Sequence, residues 1–294
     1  MRAVPAGARQ CVLASLFAMK TFRFPALCVA AALLCAGAEN FAAVPGIVVQ
    51  DGGWGSASVR EIHALALTTA TEIGRHCPKT RIGTIVVHHR DDHPQTAWAR
   101  TADGEIVVGI EARDRQCAQF VFQFAHEFCH VLATQANDWQ RTWREDGKPN
   151  LWLEESFAEA ASLFALRTMS HSWQHSAPFR NWRAYAPEFA AYADERMRAT
   201  PAVAPANFAR WFRQNEPAMR RNGTLRASNS IVAARLLPLL EAEPRGWETV
   251  TFMNLGAHDR KMTLSAFLAE WRANCPSRLR PFVEKVAQVF GIAL

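Results

Sequence analysis

The sequence predicts an α+β fold with a small N-terminal sheet and a mostly helical C-terminal half. Two β-branched, apolar runs, residues 82–88 and 105–110, both lie in the first part of the chain. Beyond residue 180 the apolar positions recur at helical spacing throughout, and strands followed by helices is the order of an α+β domain. The chain has 294 residues, 49% of them apolar and 20% charged, enough to bury a sizeable core and unlike a disordered composition.

In chain order, residues 1–38 read as a secretory signal peptide. Lys20 and Arg23 form a basic start, 24–34 is a short apolar run, and Ala36-Gly37-Ala38 offers a small-x-small cleavage site, placing the cut after Ala38. Met19 is an alternative start. The run is too short to span a bilayer comfortably, so no stable membrane anchor is expected after cleavage, and the mature chain is expected in the periplasm or outside the cell. Arg2, Arg9, Lys20 and Arg23 lie in this leader with no acid beside them, so only +2 of the net charge of +6 belongs to the remainder. That balance argues against a nucleic-acid partner.

Residues 51–55 form a glycine-rich lead-in. Ser58-x-x-Glu61 is a capping box opening a helix to about His76. The run 82–88 is a buried strand, Asp103-Gly104 a turn, and 105–110 a second strand. Asp114 is placed to cap a helix to about Thr134, with Phe120, Phe124, Phe128 and Val131 on one face. A polar loop over 137–149 follows, then a helix capped by Asn150 and running through Arg167. Later breaks fall near Pro201, Asn222-Gly223, Pro244 and Gly256. The chain thus divides into a leader, an α/β part over 39–135 and a helical part over 136–294, the last two forming one unit. Cys77, Cys117, Cys129 and Cys275 remain after the leader, and an even count in an exported chain permits two disulfides in three possible pairings.

His126-Glu127-Phe128-Cys129-His130 is a HExxH motif on the second helix. Residues four apart share a helix face, so both imidazoles can reach one metal ion, with Glu127 about a hundred degrees round the axis. The chemistry requires this set: zinc acidifies a water and polarises a carbonyl, and a carboxylate takes and returns the proton. A third protein ligand is needed. Glu155 and Glu159 lie one turn apart on the following helix among Trp152, Leu163 and Leu166. Two carboxylates on an apolar face demand compensation, which ligation by Glu155 and an orienting role for Glu159 toward a ligand histidine would supply.

This segment resembles the gluzincins, the thermolysin-like and aminopeptidase-like zinc peptidases, whose HExxH is followed by a glutamate on the next helix. Trp152–Ala158 is similar to the Trp-Leu-Asn-Glu-Gly-Phe-Ala stretch of the zinc aminopeptidases. The resemblance covers roughly residues 105–165. It implies a zincin-like catalytic domain, zinc ligands His126, His130 and Glu155, Glu127 as general base, and hydrolysis of peptide or protein substrates through a metal-activated water. Glu155-x-x-x-Glu159 resembles the family's ExxxD, whose second carboxylate orients the first histidine.

Three departures stand out. The 24 residues between His130 and Glu155 exceed the family spacing. Glu154 replaces the usual Asn and is expected to alter contacts to substrate. The family's oxyanion-stabilising Tyr is missing, since Ser228-Asn229-Ser230 occupies the comparable stretch, which leaves Tyr185, Tyr192, His171 and His175 as candidates. In this architecture the strand 105–110 is expected to form the upper edge of the cleft and to pair with an extended peptide. Glu111 faintly resembles the glutamate that holds a substrate amino terminus in aminopeptidases; exopeptidase and endopeptidase action stay equally open. The stretch His88–His93, dense in possible ligands, is expected to be a solvated loop. The alternatives to an active peptidase are a catalytically weak or inactive relative that binds zinc and peptides, and a helical interaction domain with a chance HExxH. Oligomeric state is not legible.

Overall fold

A computed structural model describes residues 44–97, 99–135, 148, 150–256, 259 and 261–294. The leader over 1–38 lies outside these, as does the expected loop over 137–149 apart from Lys148. The architecture is α+β. In order, the elements are β1 (Ile47–Val49), α1 (Val59–Gly74), β2 (Ile85–His89), β3 (Gln95–Thr96), β4 (Ile106–Ile110), α2 (Cys117–Gln135) and α3 (Leu151–Ser176). There follow α4 (Ala186–Ala199), α5 (Pro205–Arg221), α6 (Arg226–Ala242), α7 (Trp247–Val250), α8 (Leu264–Asn274) and α9 (Arg280–Val289).

The sheet has strand order β1-β2-β4-β3. β1, β2 and β4 run parallel, and β3 pairs antiparallel with β4, placing Gln95 opposite Gly109 and Thr96 opposite Val108. This corrects the expected cleft edge. β4, the strand foreseen over 105–110, is hydrogen-bonded on both sides and has no free edge to offer. The edge belongs to β3, two residues too short and too polar to announce themselves as a strand.

The Ser58–Glu61 capping box opens α1 as expected, with the Ser58 side chain accepting from the Glu61 N–H and the Glu61 carboxylate accepting from the Ser58 N–H. Asp114 does not cap α2. It sits at φ +56°, before a helix that begins at Cys117, and its carboxylate accepts from the Ser56 N–H at 2.8 Å. That contact ties the start of α2 to the lead-in loop. A Cβ on Gly55, itself at φ +63°, would stand 2.2 Å from the same carboxylate oxygen, so the turn requires glycine. On α2 the rings of Phe120, Phe124 and Phe128 stack in a row, with centroids 5.9 and 6.2 Å apart, and all three are buried.

α3 is longer than expected. It holds neither Gly nor Pro and continues past Arg167 until Ala177, which precedes Pro178 and turns extended at ψ 144°. Asn150 is its N-cap residue but makes no side-chain cap bond. Buried residues ring α3, including Trp152, Phe157, Phe164 and Trp173, as befits a central helix. It packs against α2, α6 and α4, and residues 39–294 form one unit. Among the described residues no disulfide forms: Cys77, Cys117, Cys129 and Cys275 are free thiols, and three of them are buried. Among the described residues no helix is long and apolar enough to cross a membrane.

Candidate metal centre

A cleft of about 760 Å³ opens between β3 and the helices. His126, Glu127, His130, Glu154, Glu155 and Glu159 all line it. The histidines come from adjacent turns of α2, with ring centroids 5.0 Å apart. Glu155 comes from the first turns of α3, which packs beside α2. His126 Nε2 lies 3.4 Å from one Glu155 oxygen and His130 Nε2 lies 3.6 Å from the other. One donor atom from each of the three residues falls within 4.8 Å of the others, in a partly buried position. Tetrahedral donors about 2 Å from a zinc ion stand roughly 3.3 Å apart, so these three residues suit a shared divalent ion.

The surroundings support that fit. His130 Nδ1 lies 2.7 Å from Glu154. An ionised carboxylate only accepts, so Nδ1–H donates, and Nε2 is the nitrogen left to face Glu155. Glu154 is buried, and besides His130 it accepts from Asn254 Nδ2 at 2.8 Å and from Lys148 Nζ. Asn254 also donates to the Ala133 carbonyl, which links this network to the end of α2. Burial alone would raise the Glu154 carboxyl, but Lys148 and His130 reverse this and hold it well below the usual carboxylate range. For His130, burial works to lower the pKa, and the carboxylates of Glu155, Glu154 and Glu127 overcome it, raising it to about 9. Glu155 is likewise lowered, burial being outweighed by His130 and His126. Three carboxylates thus converge on two imidazoles. A divalent ion taking the place of the His130 proton balances that concentration of negative charge.

Glu127 is 5% exposed. The Thr96 hydroxyl donates to its Oε2 at 2.9 Å and also reaches its backbone carbonyl at 3.2 Å. The edge strand and the motif helix are therefore tied together at this carboxylate.

The remaining expected residues fall into place unevenly. Glu159 lines the cleft, but its carboxylate meets Ser230 Oγ at 3.3 Å and Arg196 at 3.7 Å. The carboxylate bonded to a motif histidine, at His130 Nδ1, is instead Glu154, the residue expected to alter contacts to substrate. Of the oxyanion candidates, Tyr192 lines the cleft, its ring 5.9 Å from that of Phe122. Tyr185 packs on Phe189 away from the cleft, and His171 and His175 are exposed on α3. Glu111 borders the cleft and accepts from Gln123 Nε2 at 3.2 Å. His88 and His89 belong to β2 and are half-buried rather than in a loop. Arg90 clamps Asp92 through two hydrogen bonds, and among the described residues no second metal-ligating group forms. Thr96, Lys148 and Asn254 escaped the sequence reading. Nothing in their local sequence marks them, since each acts across a fold contact.

Fold and site together define an α+β protein with a candidate metal centre of two histidines and one glutamate. No family model, no curated protein and no solved structure matches the chain.

Proposed function

We propose that the chain is an exported zinc-dependent peptidase of the gluzincin type, built on a zincin-like fold. The observation that carries this reading is the convergence of His126, His130 and Glu155 within 4.8 Å on two packed helices, beside a buried Glu127 in an open cleft. His126, His130 and Glu155 would hold the ion. Zinc, when bound there, supplies Lewis acidity toward a carbonyl and acidifies water. Glu127 accepts the proton of the attacking water and returns it to the leaving amine. Thr96 fixes one oxygen of Glu127 and limits its rotation. Among the described residues the outer side of β3 has no strand partner, and Gln95 and Thr96 line the cleft, so this edge can pair with an extended peptide. Tyr192 is the candidate donor to the oxyanion. Burial raises its pKa, Arg196 opposing, so the hydroxyl keeps its proton at neutral pH.

A second reading, a zinc- and peptide-binding protein without turnover, rests on Ser230. It lies in the stretch comparable to the one that carries the family's Tyr, and its hydroxyl is engaged with Glu159. Metal analysis and peptide-library digestion of the mature chain test both. About one zinc per chain, lost in Glu155→Gln, is expected. Glu127→Gln should keep the metal and lose about 10²–10⁴-fold in cleavage rate. Absence of bound metal in the wild type rejects both readings; equal, poor digestion by wild type and Glu127→Gln with zinc retained rejects the catalytic one.

A further inference from the structure

The first turn of α6, through Arg226 and Asn229, and Thr224 just before it form part of the cleft wall. Three features of this turn are unused by the proposed chemistry. First, the N–H groups of Arg226, Ala227 and Ser228 have no acceptor inside the helix, and the N-cap residue Leu225 has no side chain able to cap them. An anion placed there meets free donors and the positive end of a 17-residue helix. Second, Arg226 is exposed on the cleft and makes no ion pair among the described residues. Arg196, across the cleft wall on α4, is offset by Glu159 at 3.7 Å and Lys148 is paired with Glu154, so among the described residues Arg226 is the cation left to a ligand. Third, Asn229 is 4% exposed. Its Nδ2 donates to the Gly223 carbonyl at 2.8 Å, which fixes the amide orientation, and its Oδ1 is buried with no partner. Asn229 lines the cleft, and an acceptor without a protein partner calls for a donor from the ligand.

These features ask for two things at once: a carboxylate for Arg226 and the helix N–H groups, and an N–H for Asn229. Arg226 and Asn229 lie three residues apart, on neighbouring turns of one face. A peptide residue bearing a carboxylate next to its own N–H provides both. We infer that the start of α6 is a carboxylate-recognising subsite, taking either the C-terminal α-carboxylate of a peptide or an aspartate or glutamate side chain. This rests on the peptidase reading for its substrate class and extends it to a preference.

The test is peptide binding, read separately from turnover. The mature Glu127→Gln chain is titrated by fluorescence anisotropy against a dye-labelled neutral hexapeptide as free acid, the same peptide as C-terminal amide, and an amide carrying one internal Asp. The free acid is expected to bind about tenfold tighter than the plain amide if the α-carboxylate is the ligand, and the Asp amide about tenfold tighter if a side chain is. Adding Arg226→Gln should erase the preference, while Arg226→Lys keeps part of it. Equal binding of all three peptides, or a preference that survives Arg226→Gln, overturns the subsite. Wild-type digestion of a library without any carboxylate preference in binding removes the subsite and leaves the peptidase standing. A carboxylate preference that depends on Arg226, without digestion by the wild type, supports the subsite and removes the peptidase.

Discussion

Adjacent glutamates on α3 have separate tasks because one helical step turns a side chain by about a hundred degrees. Glu155 faces both histidines across the α2 contact, while Glu154 turns into the interior and holds His130 by its other nitrogen. A hydrogen bond to Nδ1 fixes the ring orientation and raises the basicity of Nε2, the nitrogen available to a metal. Replacing Glu154 by Gln keeps the size and an acceptor for His130 but removes the charge facing both His130 and Lys148. Glu154→Gln is therefore expected to weaken zinc binding about 10–100-fold, measured by competition with a chromophoric chelator. An affinity within twofold of wild type would show that Glu154 does not position the ligand. Glu159, four residues on, serves as the control at this scale. Its partners are Ser230 and Arg196, so Glu159→Gln should leave metal affinity near that of the wild type.

α1 ends in a pH-dependent contact. His76 packs edge-on against Phe164 at 5.9 Å, and Arg75 donates to its ring. Burial, helped by the Arg75 charge, lowers its pKa from 6.5 to about 4. A histidine held neutral in the folded state contributes its full stability above the unfolded pKa of 6.5 and loses it as the pH falls through about 4. Wild type should thus lose thermal stability across that window, and His76→Gln should lose less; identical slopes of Tm against pH would discount the group. α1 was legible in the sequence because its capping box and apolar face are both local. So was the HExxH helix, although its start was not: Asp114 looked like a cap and instead serves a turn at positive φ, bonded to a residue 58 positions away. α3 was foreseen too short, and only Pro178 marks its true end. The two shortest strands were missed, since three residues at β1 and two at β3 cannot carry a period. That omission displaced the cleft edge from β3 to β4. The candidate metal group was readable because helix periodicity and a pair of carboxylates on an apolar helix pointed to it. Its supports were not: Thr96 lies 31 positions from Glu127, and Asn254 lies 100 from Glu154.

At the scale of the whole molecule, the candidate metal centre joins the two helices around which everything else is arranged. α2 packs on β3 and β4 and carries the buried row Phe120, Phe124 and Phe128, and α3 packs against α4, α5 and α6. An ion bound by His126 and His130 from one helix and Glu155 from the other clamps this central contact rather than a peripheral loop. Its binding free energy should therefore appear in global unfolding and not only in local fraying. A ligand present at a thousand times its Kd adds about 4 kcal/mol to the folded state, and each kcal/mol moves Tm by roughly 2–4 °C in a domain of this size. Zinc is thus expected to raise Tm by about 10 °C over the chelator-treated chain. The four free cysteines temper the shift, because thiols freed on unfolding compete for zinc in the unfolded state. Alkylating them after denaturation and leaving them reduced in parallel scans separates that effect from native-state binding. Glu155→Gln removes one arm of the clamp and should abolish the zinc-dependent shift. A shift of the same size in that variant would place the stabilising metal somewhere other than between α2 and α3.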